Sequence, residues 1–248
     1  MARGARGSGS TPQKPLAAYY RRLFKHLGPQ GWWPARTRME VILGAILTQN
    51  TSWNNASRAI AMLKKARLLS LSSLRQASAA DLEFCIRSAG FYRQKAAAIQ
   101  KFVRWLDRDY RGSFRALFAA PAERVRGELL NLKGIGPETA DAILLYAGHK
   151  PFFVADAYTR RVLSRHSWLA DGTGYQAAQT LLHSELPRDE RLYNEFHALL
   201  VETGKRYCRR TPDCRPCPLR EFLPVAGSPA PRVGGWPLAA ATRFEVDA

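Results

Sequence analysis

The sequence has little of what membrane-embedded, secreted and sheet-forming proteins contain. It has no run of about 18 apolar residues and no amphipathic segment that carries lysine on one face alone, which argues against a membrane protein. Strand-like alternation of apolar and polar residues is nearly absent. Residues 1–14 are rich in Gly, Ser and Arg but lack the apolar stretch of a secretory signal, so we expect a cytoplasmic protein in a reducing compartment.

Acidic residues are scarce, with 20 Asp and Glu against 38 Lys and Arg and a formal net charge of +18. This excess is larger than solubility requires, and it favours a polyanionic partner, with nucleic acid ahead of anionic lipid. A hydrophobic content of 46% over 248 residues is sufficient for a buried core, in one large domain or two small interlocked ones.

Cysteine is infrequent and unevenly distributed. Cys208, Cys214 and Cys217 fall within ten residues, whereas Cys85, the fourth, stands alone far upstream. In a reducing compartment such a cluster favours metal ligation over a disulfide.

Helical periodicity is what the sequence does contain. Ile99, Phe102 and Leu106 recur at i, i+3 and i+7, and similar stripes elsewhere predict an all-α fold. The predicted helices are 16–27, 37–48, 53–66, 80–88, 93–107, 122–130, 137–148, 157–165, 175–186 and 191–207. Both ends lack such a stripe, so we predict a disordered basic tail over 1–14 and a flexible extension over 224–248.

A glycine-rich hairpin follows Lys133, where one predicted helix ends. Gly134-Ile135-Gly136 comes next, and Pro137 suits the first position of a new helix because its missing N–H would have been unpaired there. Left-handed angles at the two glycines would allow backbone N–H groups to converge on a phosphate, with Lys133 contacting phosphate or terminating the helix. The alternative is a plain glycine-rich connection.

Several motifs occur in a fixed order along the chain. They are Leu47-Thr-Gln-Asn-Thr51, Gly90-Phe-Tyr-Arg-Gln-Lys95, Leu132-Lys-Gly-Ile-Gly-Pro-Glu-Thr-Ala140, Val154-Ala-Asp-Ala-Tyr-Thr-Arg-Arg161 and the cysteine cluster. Over residues 16–218 this series resembles the endonuclease III superfamily of helix-hairpin-helix DNA glycosylases. The resemblance implies two helical domains with the active cleft between them. A six-helix barrel domain over 31–151 would carry the hairpin, and 15–30 with 152–223 would form the terminal, iron-sulfur-type domain with the cysteine loop.

The resemblance assigns the chemistry to Asp156. A fixed carboxylate can stabilise the oxocarbenium charge that develops during glycosidic cleavage and can position or deprotonate a water. Asp156 is equally suited to cap a helix beginning at residue 157, and one side chain can do both. His166 and His197 lie in no matching motif, and we interpret them as ordinary surface or core histidines.

Glu138 stands where bifunctional members of the family carry a lysine that attacks the sugar and then cuts the strand. A carboxylate cannot form the imine of that pathway, so we predict a hydrolytic, monofunctional glycosylase with weak or absent AP lyase activity. Glu138, the Leu-Thr-Gln-Asn-Thr segment and Trp32-Trp33-Pro together resemble the branch that removes alkylated purines such as 3-methyladenine.

Two residues are candidates for filling the space that a flipped base leaves. By resemblance, Gln49 enters the gap and Phe91 is an apolar wedge against the opposite strand. Packing at a helix end is the alternative for both.

Four more residues are candidates for the base pocket. Trp32, Trp33 and Trp53 offer electron-rich rings on which a cationic base would stack, although one of them is expected to be a core residue. Lys205 approaches this pocket by resemblance, or else contacts DNA from solvent.

The three clustered cysteines resemble the family's C-terminal loop, which implies a [4Fe-4S] cluster. Leu223 occupies the place of a fourth cysteine, so the fourth ligand is unidentified, with Asp213 and Glu221 as candidates. Zinc or no metal is the alternative.

These observations predict a monomeric glycosylase that hydrolyses the N-glycosidic bond of a damaged base, with alkylated purines as substrates. Its partner would be damaged double-stranded DNA, and it would associate with the nucleoid. Two alternatives remain, a bifunctional glycosylase and AP lyase for oxidised pyrimidines, and a catalytically silent DNA-binding homologue.

Overall fold

The computed structural model describes residues 15–224, and every regular element within them is helical, which confirms the predicted all-α class. The α-helices are α1 (Leu16–Leu27), α2 (Arg38–Leu47), α3 (Trp53–Lys65), α4 (Leu71–Gln76), α5 (Ala79–Ile86), α6 (Tyr92–Tyr110), α7 (Phe114–Ala119), α8 (Ala122–Leu130), α9 (Pro137–Ala142), α10 (Ala157–Arg165), α11 (Tyr175–Glu185) and α12 (Glu190–Arg206). A π-helical turn, Ile143–Ala147, continues α9, and 3-10 turns lie at Arg87–Ala89 and Arg220–Phe222.

All ten predicted helices are present, and periodicity missed only the two six-residue helices α4 and α7 within the described part of the chain. Fewer than two turns cannot display a repeating apolar stripe. Their sequence signal lies at the start instead. The hydroxyl of Ser70 accepts a hydrogen bond from the Ser73 N–H at 3.1 Å, and Ser113 does the same for Ala116 at 3.1 Å.

The described residues divide into two compact units. One unit comprises 31–154 with 190–194. Its longest helix is α6, which buries the predicted stripe of Ile99, Phe102 and Leu106 against helices that include α2, α5 and α7. Burial of these side chains contributes about 1.5–3 kcal/mol each, which is why the stripe specifies the position of the helix.

The other unit comprises the described residues of 15–30, 155–189 and 195–224. Its core surrounds the fully buried Tyr19, whose ring contacts His166 edge-on at 5.3 Å and lies 4.9 Å from Phe222. His166 is itself buried, and burial lowers its pKa. His166 is therefore a neutral core residue, as the sequence interpretation held.

The tail expected over 1–14 lies outside the described residues, as does the extension expected over 224–248 apart from residue 224. No described helix combines the length and the apolar content that crossing a membrane requires.

Candidate active site

The hairpin between α8 and α9 depends on one glycine that no other residue could replace without strain. Gly134 has a φ of +104°, and a Cβ there would lie 2.8 Å from the Cβ of Ala98 on α6. The expectation of left-handed angles was wrong for Gly136, which is the extended N-cap of α9 with a φ of −94°. The reason is Pro137, since a residue before proline is pushed towards extended backbone.

The hairpin presents backbone to solvent while one side chain anchors it. Lys133, Gly134 and Gly136 are exposed, whereas Ile135 is buried in the unit. The first N–H groups of α9 have no partner within the helix, as at any helix start. Together with the charge of Lys133, such donors can hold an anion the size of a phosphate group.

Gln49 lies directly against this hairpin. Its side-chain amide donates a hydrogen bond to the carbonyl of Gly134 at 3.0 Å. Phe91 is 62% exposed and has left-handed backbone with a φ of +46°, a conformation that is uncommon for an aromatic residue. Both residues lie at helix ends, Gln49 just after α2 and Phe91 as the N-cap of α6, and neither is fully buried.

Trp32, Trp33 and Trp53 come together in one aromatic cluster. Their ring centroids lie 5.2 to 5.4 Å apart, and Trp33 also contacts Tyr146 at 5.2 Å. All three indoles are partly exposed, and that of Trp33 lies against Gly44 of α2, where a Cβ would come within 2.9 Å of the ring. The cluster offers electron-rich faces beside a helix that approaches closely because residue 44 has no side chain.

Asp156 caps α10 and has a second polar neighbour. Its Oδ1 accepts a hydrogen bond from the Thr159 N–H at 2.7 Å, and its Oδ2 lies 3.7 Å from the Nε2 of His197 on α12. The side chain is only 14% exposed. Burial alone would raise the pKa of Asp156, but His197 and the Thr159 N–H outweigh it and hold the pKa below its usual value. The group is therefore a carboxylate at neutral pH.

His197 is the neighbour that sequence reasoning missed. It is buried on α12, far from the Asp156 motif in sequence, and no motif surrounds it. An imidazole beside an ionised carboxylate can donate a hydrogen bond, orient that carboxylate or hold a proton. No sequence signal could have revealed it, because the proximity arises from the packing of α12 near the start of α10.

Glu138 and Lys205 occupy exposed positions. Glu138 lies in the first turn of α9, where a carboxylate is favoured by the helix dipole. Lys205 lies in the last turn of α12, which also favours its charge.

The cysteine cluster follows α12, and its residues do not fit a four-thiolate cluster. Burial raises the pKa of the Cys217 thiol, and the charges of Cys214 and Cys208 add to that effect. Leu223 supplies no ligand, and Glu221 pairs with Arg22 at 3.1 Å. Within residues 15–224, no three Cys, His, Asp or Glu side chains are arranged to hold a metal ion.

Arginine side chains of α10 bind this segment at several points. Arg161 donates to the carbonyls of Cys208 at 2.6 Å and Gly204 at 3.1 Å. Arg165 donates to the Sγ of Cys208 at 3.2 Å and to the carbonyls of Arg209 at 2.6 Å and Arg210 at 3.0 Å. Two guanidinium groups of α10 therefore bind the loop, chiefly through its backbone carbonyls.

Helical units of this kind, one of them carrying a glycine hairpin, define the class of helix-hairpin-helix proteins. The chain belongs to the HhH-GPD superfamily of base excision DNA repair proteins, whose family model matches residues 43–188.

Individual relatives agree with this assignment. A protein of Methanocaldococcus jannaschii, named as a candidate DNA repair glycosylase, is 41% identical over 205 residues, covering 82% of this chain and 93% of its own length. Endonuclease III of Thermotoga maritima is 29% identical over 181 residues, covering 73% of this chain and 79% of its own.

Solved structures share the fold. A non-covalent endonuclease III–DNA complex superposes with a TM-score of 0.71 at 23% identity, covering 84% of this chain and 93% of the other. The 3-methyladenine DNA glycosylase of H. pylori bound to 1,N6-ethenoadenine gives a TM-score of 0.64 at 28% identity, covering 77% and 95%. The chain is thus a base excision repair glycosylase of the endonuclease III type.

Proposed function

We propose that this glycosylase is monofunctional and that it hydrolyses the N-glycosidic bond of alkylated purines in double-stranded DNA. The observation that carries the proposal is the largely buried carboxylate of Asp156, which caps α10 beside His197, in a chain whose resemblance to the family puts Glu138 where a lyase has lysine. The first group supports hydrolysis, and the second provides no amine for an imine.

Asp156 would act on the sugar. As the bond to the base lengthens, positive charge develops on the sugar ring, and a carboxylate that is already ionised stabilises that charge without first losing a proton. His197 would keep Asp156 ionised from its Oδ2, while the Thr159 N–H binds its Oδ1. The same carboxylate could accept a proton from the attacking water.

The aromatic cluster supports the choice of alkylated purines. Alkylation makes a purine electron-poor and often cationic, and such a ring stacks well on the faces of Trp32, Trp33 and Trp53. The solved relative from H. pylori is a 3-methyladenine glycosylase bound to an adduct of adenine. Discrimination would rest on ring stacking, because a base that is already a good leaving group requires little further activation.

The hairpin would bind the DNA backbone. N–H groups in the first turn of α9, which have no acceptor within the helix, and the charge of the exposed Lys133 suit a phosphate, and this contact is independent of sequence. Gln49 and Phe91 would occupy the space left by the flipped base.

One experiment separates this proposal from a bifunctional enzyme. Duplexes carrying 3-methyladenine, an ethenoadenine or an oxidised pyrimidine are incubated with the protein and analysed with and without alkali, in parallel with borohydride trapping. We expect release of alkylated purine, strand breaks only after alkali, and no trapped adduct. A covalent adduct in good yield, or cleavage without alkali, would contradict hydrolysis.

The same assays test the other two open questions. Absence of base release from every duplex, with DNA binding retained, would identify a silent binding homologue. Iron, sulfide and zinc analysis of the purified protein distinguishes an iron-sulfur cluster, a zinc site and a protein without metal. The excision chemistry proposed above assigns no step to a metal.

A further inference from the structure

Lys95 is a buried lysine whose partners are all backbone carbonyls. It lies on α6 and is only 5% exposed. Its Nζ donates hydrogen bonds to the carbonyls of Leu47 at 2.9 Å, Gln49 at 2.8 Å and Ala89 at 2.8 Å. Burial lowers the pKa of Lys95. An ammonium group has three N–H donors, so these three carbonyls satisfy it completely.

The three carbonyls lie at helix ends or in the turn that follows a helix, where a carbonyl has no N–H partner within the helix. Leu47 is the last residue of α2, and Ala89 is the last residue of the 3-10 turn before α6. Gln49 lies in the turn between α2 and α3. Carbonyls at such positions have no partner within their own helix and need a donor from elsewhere. Lys95 is that donor for all three at once, which ties two separate turns to one point.

Those two turns carry the candidate gap-filling residues. One of them contains Gln49, whose carbonyl Lys95 binds and whose side chain reaches the hairpin at Gly134. The other contains Phe91, two residues after Ala89, and the Lys95 N–H donates to the Phe91 carbonyl at 3.0 Å. A single residue therefore contacts both turns through its side chain and its backbone.

We propose that Lys95 is a positioning residue for base flipping, one that fixes the spacing between Gln49 and Phe91. This inference rests on the proposed function. Lys95 touches neither base nor sugar, and it acts by holding the two side chains at the separation that an emptied base-pair step requires. An ammonium suits this role better than a guanidinium, because its three donors point to three carbonyls, whereas the planar fork of arginine does not.

The test uses 2-aminopurine opposite an abasic-site analogue in a duplex, because its fluorescence rises when the base is unstacked. Wild type, Lys95→Met and Lys95→Arg are compared at saturating protein. Lys101→Met is the matched control, since it removes the same charge from the same helix. We expect the rise with wild type and Lys101→Met, and its loss in both Lys95 variants.

Excision rates provide the second readout. A misplacement of about 1 Å costs on the order of 100-fold, so excision from a lesion duplex should fall about 10- to 100-fold in Lys95→Met. Excision from a single-stranded oligonucleotide, where no gap has to be filled, should change far less. An equal fall on both substrates would mean a general structural role and would overturn the proposal.

A second variant and a readout that does not depend on excision separate the positioning role from loss of folding and from failure of the proposed function. If Lys95→Met does not fold, Lys95→Arg decides, and a folded arginine variant with undiminished fluorescence overturns the proposal. The fluorescence experiment uses DNA with no base to excise. It therefore tests Lys95 even if the wild-type protein releases no alkylated purine, which would refute the proposed function alone.

Discussion

Replacing Asp156 by asparagine tests the proposed chemistry because it removes the charge and keeps the shape. Asparagine caps helices about as well as aspartate, and its Oδ1 can still accept the Thr159 N–H. The variant should therefore lose less than about 1 kcal/mol of stability, or about 2–4 °C in Tm. The comparison variant Asp156→Ala also loses the cap and should cost about 0.5–2 kcal/mol.

The expected effect on the rate is much larger. Loss of a fixed charge that opposes developing charge, or of a general base, lowers a rate by about 10²- to 10⁴-fold. This corresponds to about 3–5.5 kcal/mol in the barrier. The loss of excision rate has to be compared with the loss of stability, because a residue that only caps α10 would affect stability and leave the chemistry intact.

The assay is single-turnover excision from a duplex with a methylated purine, with alkali cleavage to reveal abasic sites. Binding to the same duplex, followed by fluorescence anisotropy, should be retained in Asp156→Asn. A rate within about tenfold of wild type in a folded Asp156→Asn protein would refute the catalytic assignment. Loss of binding together with activity would assign Asp156 to substrate recognition instead.

Three further predictions concern pH, the aromatic cluster and the cysteine loop. Because the folded pKa of Asp156 lies below 3.8, its contribution to the free energy of unfolding is present above that pH and is lost as the pH falls through the lower folded pKa. If the excision rate of the wild type instead falls with acid near neutral pH, and Asp156→Asn lacks that fall, this prediction is contradicted. Gly44→Ala should displace the Trp33 ring and weaken excision, whereas Gly127→Ala, in α8 with open space around it, should stabilise the protein by up to about 1 kcal/mol; equal excision by the two variants would show that the ring position does not matter. Arg165→Gln should lower stability by about 1–3 kcal/mol and expose the loop after α12 to protease, and an unchanged Tm and digestion pattern would show that the loop is held in another way.

The fold was predictable where the sequence carries repeated or paired signals. The stripe on α6 predicted a long helix, and the Gly-Ile-Gly-Pro run predicted the hairpin and the start of α9. Periodicity failed for α4 and α7 because six residues are too few for a repeat. The error at Gly136 came from treating both glycines alike, although the following proline restricts only the second.

The sequence offered candidate site residues but could not offer their contacts. Motifs led to Asp156, Gln49 and the tryptophans, each of which belongs to a recognisable segment. His197, the neighbour of Asp156, comes from a distant part of the chain on α12. Lys95 ends one of the motifs, yet its contacts with Leu47 and Gln49 arise only through packing. Such pairs follow from tertiary structure, which no local pattern encodes.

The hydrogen bond from Gln49 to the Gly134 carbonyl also has a consequence for the DNA-free protein. Gln49, which we propose to enter the base stack, is hydrogen-bonded to the hairpin that would bind the phosphate. When Gln49 leaves the Gly134 carbonyl it loses one neutral hydrogen bond, worth about 0.5–1.5 kcal/mol, and a hydrogen bond to DNA can replace it. Insertion of Gln49 between bases would therefore also free the Gly134 carbonyl of the hairpin that is proposed to bind phosphate.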